Sequence, residues 1–147
     1  MKKIIGTCLL SVVATIVFGQ NVTWKFSATK TTGNNYQLLA VAAVPTGWHI
    51  YSSTTPEGGP VPTTFTFGKN PLVQLKGKVQ EKGVLKTIHH KNFDVDVKYY
   101  ADKVVFVQDV QVKSKAKTTV NGSVNYMICN DQQCLPPVTE KFAVELK

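Results

Sequence analysis

The chain has 147 residues, a formal net charge of +8 and no arginine. This length suits one domain with a substantial hydrophobic core and is short for two ordinary domains. Nucleic-acid surfaces usually combine arginine forks with clustered basic residues, whereas the lysines here are spread among polar residues. The composition therefore argues against a nucleic-acid partner, and we interpret the densest lysine cluster, residues 113–117, as a solvated turn between strands.

Residues 1–20 have the features of a secretory signal peptide. Lys2 and Lys3 provide the positive start, residues 4–18 form the apolar stretch, and Gly19 is a small residue before the expected cleavage point. The competing interpretation is a membrane span, but the apolar stretch is short and is interrupted by glycine, serine and threonine. We therefore expect cleavage, with no stable membrane span afterwards.

The mature domain is expected to comprise residues 21–147 and to be periplasmic or otherwise exported. Cys8 would leave with the signal peptide, and two cysteines, Cys129 and Cys134, would remain. Because exported chains meet an oxidising compartment, paired cysteines in them are normally bonded to each other.

Alternation of apolar and polar residues predicts strands along most of the mature chain. The first strand, for example, places Val22, Trp24 and Phe26 on one side, and no segment combines helical periodicity with helix caps. The predicted strands are 22–28, 36–44, 48–51, 65–67, 72–79, 97–100, 103–112, 120–128 and 138–146. About eight or nine short strands in one domain predict an all-β, two-sheet sandwich.

The segment Trp48 to Tyr51 is short but informative. Alternation places Trp48 and Ile50 on one face and His49 and Tyr51 on the other. His49 and Tyr51 are then either ordinary residues of a half-exposed edge or part of a functional face. Residues 52–64 follow as a long loop whose prolines and glycines make it stiff, and we expect a shaped surface there.

The histidine pair His89-His90 suggests a metal site, but the case is weak. Adjacent residues of an extended chain point apart, and a closed zinc site requires four ligands at suitable spacing. We predict no metal and no cofactor. A copper or zinc carrier that uses Cys129, Cys134, Met127 and His49 is a third and less favoured hypothesis.

Cys129 and Cys134 are separated by four polar residues, a hairpin-sized loop, so that a disulfide between facing strands is geometrically possible. Alternation predicts that Cys129 points away from the apolar row that ends at Ile128. Pro136 and Pro137 have no backbone N–H, so two hydrogen-bond donors are missing from the chain beyond Cys134. The spacing is compatible with a redox pair that exchanges with partner thiols. It is equally compatible with a structural disulfide in a non-enzymatic binding domain.

Several motifs occur in a fixed order along nearly the whole mature chain. The first is Gly47-Trp48-His49-Ile50-Tyr51, which is followed by Gly58-Gly59-Pro60-Val61-Pro62, by Asn92-Phe93 ahead of Tyr100, and by Tyr126-x-x-Cys129-x4-Cys134-Leu135-Pro136-Pro137. Together they resemble the amino-terminal periplasmic domain of the bacterial thiol:disulfide interchange protein DsbD.

The resemblance implies an immunoglobulin-like sandwich whose cysteine pair passes electrons from a thioredoxin-like donor to periplasmic acceptor proteins that carry disulfides. Cys134 would be the exposed sulfur that forms mixed disulfides, and Cys129 its partner. Phe93, next to Asn92, would lie on a cap loop that shields the pair, while His49 and Tyr51 would lie beside the sulfurs.

The chain departs from the family pattern before the cap aromatic, where Lys91-Asn92 replaces an acidic pair that some members carry. A lysine favours a thiolate and acidic neighbours disfavour it, so Cys134 is expected to ionise more easily than in those members. Since no transmembrane helices or thioredoxin-like domain follow the sandwich, donor and acceptor are expected to be separate proteins.

Overall fold

The structure is a computed structural model that describes residues 21–90, 94–115 and 117–147. These residues form eleven strands. They are β1 Thr23–Lys30, β2 Asn35–Ala43, β3 His49–Tyr51, β4 Thr64–Phe67, β5 Val73–Gly83, β6 Lys86–His90, β7 Val95–Tyr100, β8 Lys103–Val112, β9 Thr118–Tyr126, β10 Ile128–Cys129 and β11 Val138–Leu146. In this part of the chain, no helix has the length and apolarity needed to cross a membrane.

The strands form three antiparallel sheets that build two layers. The first sheet has the order β1-β2-β8-β5, the second β10-β3-β7-β6 and the third β11-β9-β4. Only Met127 separates β9 from β10, so the second and third sheets continue one another along the chain. Both buried core clusters combine first-sheet residues with residues of the opposite layer, which gives the predicted sandwich.

Large apolar side chains from both layers fill the core. Phe106 of β8 and Ile50 of β3 are among its fully buried members, and the ring of Trp24 packs against Phe106 and Tyr126 with centroids 5.9 and 5.4 Å away. Burial of these large apolar side chains and the contacts between their rings stabilise the folded sandwich.

A β-bulge in β5 explains the one polar residue on the apolar face of β8. The register of β5 against β8 shifts between Lys76 and Gln80, and Gly77 has a φ of 66°, a left-handed conformation that favours glycine. The buried Gln108 donates its amide to the carbonyl oxygen of Lys76 at 2.9 Å. The buried amide of Gln108 thus finds a backbone acceptor at the edge of the bulge.

The structure has more and longer strands than the sequence pattern predicted. Residues 86–90 form the edge strand β6 and residues 81–83 continue β5, and neither stretch is among the predicted strands. Exposed edge strands carry polar residues on both faces and therefore lack the alternation that identifies half-buried strands. The predicted strand 120–128 is divided into β9 and β10.

The second sheet separates the core from the candidate site. Its inner face contributes Ile50, Tyr100 and Ile128 to the core, whereas Tyr51 and Cys129 belong to a separate buried cluster with Val97 on the outer face. The stiff loop that follows β3 packs on this outer face. Its Gly59 lies so close to β7 that a Cβ atom there would be 3.1 Å from Val95 Cγ2 and 3.9 Å from Val97 Cγ2.

The carboxylate of Glu81 links the first sheet to the second. It accepts hydrogen bonds from Ser52 Oγ at 2.7 Å, from the Ser53 backbone N–H at 2.7 Å and from Tyr100 Oη at 2.8 Å. Burial alone would raise the pKa of Glu81, but the hydrogen bonds from Ser53, Ser52 and Tyr100 outweigh burial and hold it below its usual value. The bulged strand β5 is thereby fixed to the strands that carry the candidate site.

Candidate functional site: a disulfide in a cleft of the second sheet

Cys129 and Cys134 form a disulfide. Cys129 lies in β10, pairs with Cys134 across an isolated antiparallel bridge, and has its Cα atom 4.0 Å from that of Cys134. The neighbouring hydrogen bonds run from the Asn130 N–H to the Gln133 oxygen and from the Leu135 N–H to the Ile128 oxygen. The cysteines therefore form a narrow, non-hydrogen-bonded pair, the type that brings facing side chains closest together.

The four residues between the cysteines form a turn organised by Asn130. Its side-chain oxygen accepts hydrogen bonds from the backbone N–H groups of Gln132 at 2.9 Å and Gln133 at 2.8 Å. Asparagine side chains commonly stabilise turns in this way. The hairpin-sized loop that the spacing suggested is therefore present, with Asn130 as the residue that closes it.

The two sulfur-bearing residues differ in exposure. Cys129 is only 2% exposed and packs in the outer-face cluster with Tyr51 and Val97, whereas Cys134 is exposed. Pro136 and Pro137, which follow Cys134, are exposed as well. Cys134 is therefore the surface member of the pair, and Cys129 is the buried member.

A cleft of about 250 Å³ lies beside the disulfide on the outer face of the second sheet. Aromatic residues form one of its walls: the His49 ring lies 5.3 Å from the Tyr51 ring and 4.6 Å from the Tyr99 ring, centroid to centroid. His49 Nε2 and Tyr51 Oη are 3.1 Å apart and form a hydrogen bond. The lining is completed by Ile88, Val97, Cys129, Asn130, Asp131 and Cys134.

Tyr51 remains a neutral phenol over the physiological pH range. Burial, and after it the neighbouring Tyr99, raises the pKa of Tyr51 to about 12. The phenol of Tyr51 can therefore donate to His49 Nε2 or accept from it, depending on which tautomer the imidazole adopts.

Four of the six predicted site residues meet at this cleft: Cys129, Cys134, His49 and Tyr51. The other two, Asn92 and Phe93, lie outside the described residues, and the cap loop remains a prediction. Tyr51 is buried rather than half-exposed, and it packs with Val97 and Cys129.

Sequence reasoning missed Ile88, Val97 and Tyr99 as cleft residues. Val97 and Tyr99 alternate along β7, and this signal could have placed them on one face. Their contact with His49 and the cysteines arises from the pairing of β3 with β7 and β10, which the sequence does not reveal.

Residues named in the two metal-site hypotheses make other contacts in the structure. Within residues 21–90, 94–115 and 117–147, no group of three or more His, Cys, Asp or Glu side chains is placed to hold a metal ion. His89 instead contacts the carboxylates of Asp94 at 3.3 Å and Asp96 at 3.0 Å. In the metal-carrier hypothesis Cys129 and Cys134 were two of four ligands, but they are bonded to each other here.

Solved structures with this fold include N-terminal domains of ScsB and of DsbD. The N-terminal periplasmic domain of ScsB from Proteus mirabilis matches with a TM-score of 0.54 and 14% identity, over 85% of this chain and 44% of that one. The N-terminal domain of DsbD from Neisseria meningitidis in the reduced form matches with a TM-score of 0.52 and 12% identity, over 80% of this chain and 82% of that one.

A third structure is the complex between the DsbD N-terminal and PilB N-terminal domains from Neisseria meningitidis. It matches with a TM-score of 0.54 and 12% identity, over 83% of this chain and 80% of that one. These likenesses confirm the expected all-β, immunoglobulin-like sandwich. The chain spans less than half of the ScsB chain. A comparison with curated proteins gave no significant match.

The family model for the N-terminal part of the thiol:disulfide interchange protein DsbD matches residues 15–146, almost the whole chain. It includes both cysteines of the disulfide and the segments that line the cleft. The chain therefore belongs to the family of DsbD N-terminal domains.

Proposed function

We propose that this domain is an exported thiol–disulfide exchange module that passes electrons to partner disulfides through Cys129 and Cys134. The observation that carries the proposal is the unequal exposure of the two residues, with Cys134 at the surface and Cys129 buried beneath it. Exchange requires one sulfur that a partner can reach and a second close enough to resolve the mixed disulfide.

Reduction of the domain begins when a donor thiolate attacks Cys134 Sγ. A donor–Cys134 disulfide forms, the Cys129–Cys134 bond breaks, and Cys129 leaves as a thiolate that takes up a proton. A second donor thiolate then attacks the donor sulfur of this mixed disulfide and releases Cys134 as a thiolate. The donor leaves as a disulfide, and once the Cys134 thiolate has been protonated from solvent the domain has gained two electrons and two protons.

Delivery to the acceptor follows the reverse order. The Cys134 thiolate attacks the acceptor disulfide, and one acceptor sulfur leaves as a thiol. Cys129 then loses its proton and attacks Cys134 Sγ, which releases the second acceptor thiol and restores the Cys129–Cys134 bond. Both halves of the cycle use Cys134 as the attacked or attacking sulfur that meets the partner.

The partners are expected to be separate proteins: a thioredoxin-like donor and periplasmic acceptors that carry disulfides. A DsbD N-terminal domain from Neisseria meningitidis has been crystallised with the PilB N-terminal domain, which makes the latter a suitable probe. Membership of a periplasmic domain family, together with the signal-like residues 1–20, supports export of this chain.

Phe93 and its neighbour Asn92 are proposed to form the cap that shields the disulfide between encounters. This role follows from the family resemblance, and the cap would have to move aside for docking. Replacement of Phe93 by alanine would then speed the reaction of the disulfide with small thiols.

The reduction potential of the Cys129–Cys134 pair is the first test, measured by equilibration with dithiothreitol or glutathione buffers. A value between roughly −270 and −120 mV, the range of thioredoxin-like exchangers, supports the proposal. A value below about −300 mV marks a bond that resists physiological reduction, and would identify an inert structural disulfide instead.

Trapping of a partner provides the second test. Cys129→Ser leaves the exposed Cys134 without its resolving partner, and we expect a mixed disulfide with the PilB N-terminal domain to accumulate. The matched control is Cys134→Ser, whose remaining cysteine is buried and should trap little partner. Equal trapping by the two variants would contradict the assigned roles.

A further inference from the structure

We propose that His49 exchanges a proton with the Cys129 sulfur each time the disulfide opens or closes. This inference rests on the proposed function. It identifies the group that supplies and removes the proton that Cys129 takes up on reduction and loses on reoxidation. His49 would protonate the departing Cys129 thiolate during reduction and accept the proton back before Cys129 attacks the mixed disulfide.

The register of the second sheet places the two residues together. His49 in β3 is the direct partner of Cys129 in β10. Facing residues of an antiparallel pair project from the same side of the sheet, with Cβ atoms roughly 4.5–5.5 Å apart. Both residues line the cleft beside the disulfide. The backbone position of His49 is thus fixed by strand pairing.

The surroundings of Cys129 create the need for a proton carrier. Cys129 is 2% exposed and packs with Tyr51 and Val97, and the half-buried Met127 also lies against this cluster. A thiolate released in such a place loses most of its hydration, which disfavours the charged form. Proton transfer from a neighbouring group as the S–S bond breaks would remove that cost.

Imidazole is suited to this task among the groups that surround it. Besides the cysteines, the titratable side chains that line the cleft with His49 are Tyr51, Tyr99 and Asp131, and Lys86 faces Tyr99 on β6. Compared with phenol, carboxylate and ammonium groups, imidazole is the side chain that readily gives and takes a proton near neutral pH.

Tyr51 can support both protonation states of His49. It lies 3.1 Å from Nε2 and remains a neutral phenol, which can donate to a neutral imidazole or accept from a charged one. The ring contacts with Tyr51 and Tyr99 hold the imidazole in place in either state. The ring can therefore change its charge without losing its orientation in the cleft.

The experiment follows the reaction of the reduced protein with dithionitrobenzoate, which releases thionitrobenzoate in two phases. In the first, Cys134 attacks the reagent; in the second, Cys129 attacks Cys134 Sγ and expels the second thionitrobenzoate. We expect His49→Gln to slow the second phase at least tenfold near pH 7 and to leave the first phase within about threefold. The difference in second-phase rate between wild type and His49→Gln should become smaller as the pH rises, because hydroxide can then deprotonate Cys129 without His49.

Two further variants distinguish proton transfer from a packing effect. Added imidazole should partly restore the second phase in His49→Ala, which a merely structural defect would not allow. His89→Gln is the control, because His89 contacts Asp94 and Asp96 and is not among the residues that line the cleft; both of its phases should match the wild type.

The possible outcomes are distinguishable. An unchanged second phase in His49→Gln across the pH range would overturn the role of His49, as would equal slowing of both phases. If the wild-type protein released only one thionitrobenzoate, Cys129 would not resolve the mixed disulfide, and the proposed function itself would fail.

Discussion

Cys129 and Cys134 occupy facing positions of one short ladder, yet their surroundings differ. Cys129 is enclosed by the outer-face cluster of the second sheet, and Cys134 begins an exposed segment with Pro136 and Pro137. Since proline lacks a backbone N–H, these residues cannot extend the ladder over Cys134. The backbone beyond the disulfide thus preserves access to the sulfur that partners would attack.

At the residue scale, we expect Asn130→Ala to make the disulfide easier to reduce. The variant removes the acceptor for the N–H groups of Gln132 and Gln133, which close the turn between the cysteines. If the variant destabilises the oxidised form by about 1 kcal/mol relative to the reduced form, the reduction potential rises by roughly 20 mV.

Asn35→Ala is the control for this measurement. Asn35 donates a side-chain hydrogen bond to the carbonyl oxygen of Thr32 in the turn between β1 and β2, away from the sulfurs. This variant should lose a similar amount of stability without changing the potential. A potential in Asn130→Ala that equals the wild-type value would show that the turn does not favour the oxidised form.

Individual residues were predictable where period-2 alternation decides their direction. The faces assigned to Trp48, His49, Ile50 and Cys129 agree with the structure, since a strand has only two sides. The burial of Tyr51 was not predicted, because it depends on packing with Val97 and Cys129 from strands that are distant in sequence. The contact between His49 and Tyr99 was not predicted either, because strand pairing between distant segments leaves no local signal.

At the scale of elements, Glu81 should contribute stability that depends on pH. It joins β5 to the residues after β3 and to Tyr100, and hydrogen bonds to charged groups stabilise by about 1.5–3 kcal/mol each when well buried. Glu81 is only half-buried, and we therefore expect Glu81→Gln to lose about 1–2 kcal/mol of unfolding free energy at pH 7.

The pH dependence of this contribution follows from the lowered pKa of Glu81 in the folded state. The stabilisation is fully present above the unfolded-state pKa, roughly 4.3, and is lost as the pH falls through the lower folded-state pKa. Urea unfolding of wild type and Glu81→Gln should therefore differ at pH 7 and converge in strong acid. Glu57→Gln, at an exposed site in the loop after β3, should show no such difference.

Prediction of the elements succeeded for half-buried strands and failed at an edge. Strand β8 alternates cleanly, with Val104, Phe106 and Val110 buried, and its predicted bounds match the structure. Strand β6 is exposed, and Ile88 within it is 53% exposed, so that no apolar face distinguishes it from a polar loop. Its identity as a strand comes from pairing with β7.

At the scale of the whole molecule, the domain should remain folded when the disulfide is absent. The bond closes a loop of only a few residues. In the chain-entropy model, the entropy that it removes from the unfolded chain stabilises the folded state by roughly 2 kcal/mol. The core between the layers contains neither sulfur. We expect the Cys129→Ser, Cys134→Ser double variant to lose about 2 kcal/mol in guanidinium unfolding and to keep the wild-type far-ultraviolet circular dichroism spectrum.

This prediction has a functional meaning, because an electron carrier must persist in both oxidation states. Unfolding of the double variant under native conditions would show that the bond holds the domain together. It would then favour a structural disulfide over a working redox pair. The reduced wild-type protein provides the control, since it lacks the bond but keeps both cysteine side chains.

The division of the second sheet into an inward and an outward face also affects how such a domain can change over generations. Substitutions at His49 or Tyr99 alter the neighbourhood of the sulfurs, whereas Ile50 and Tyr100, each one position away, are committed to the interior. Selection on electron transfer and selection on foldability therefore act on alternate residues of the same strands. A lineage built on this sheet can retune its chemistry in single steps while its scaffold stays intact.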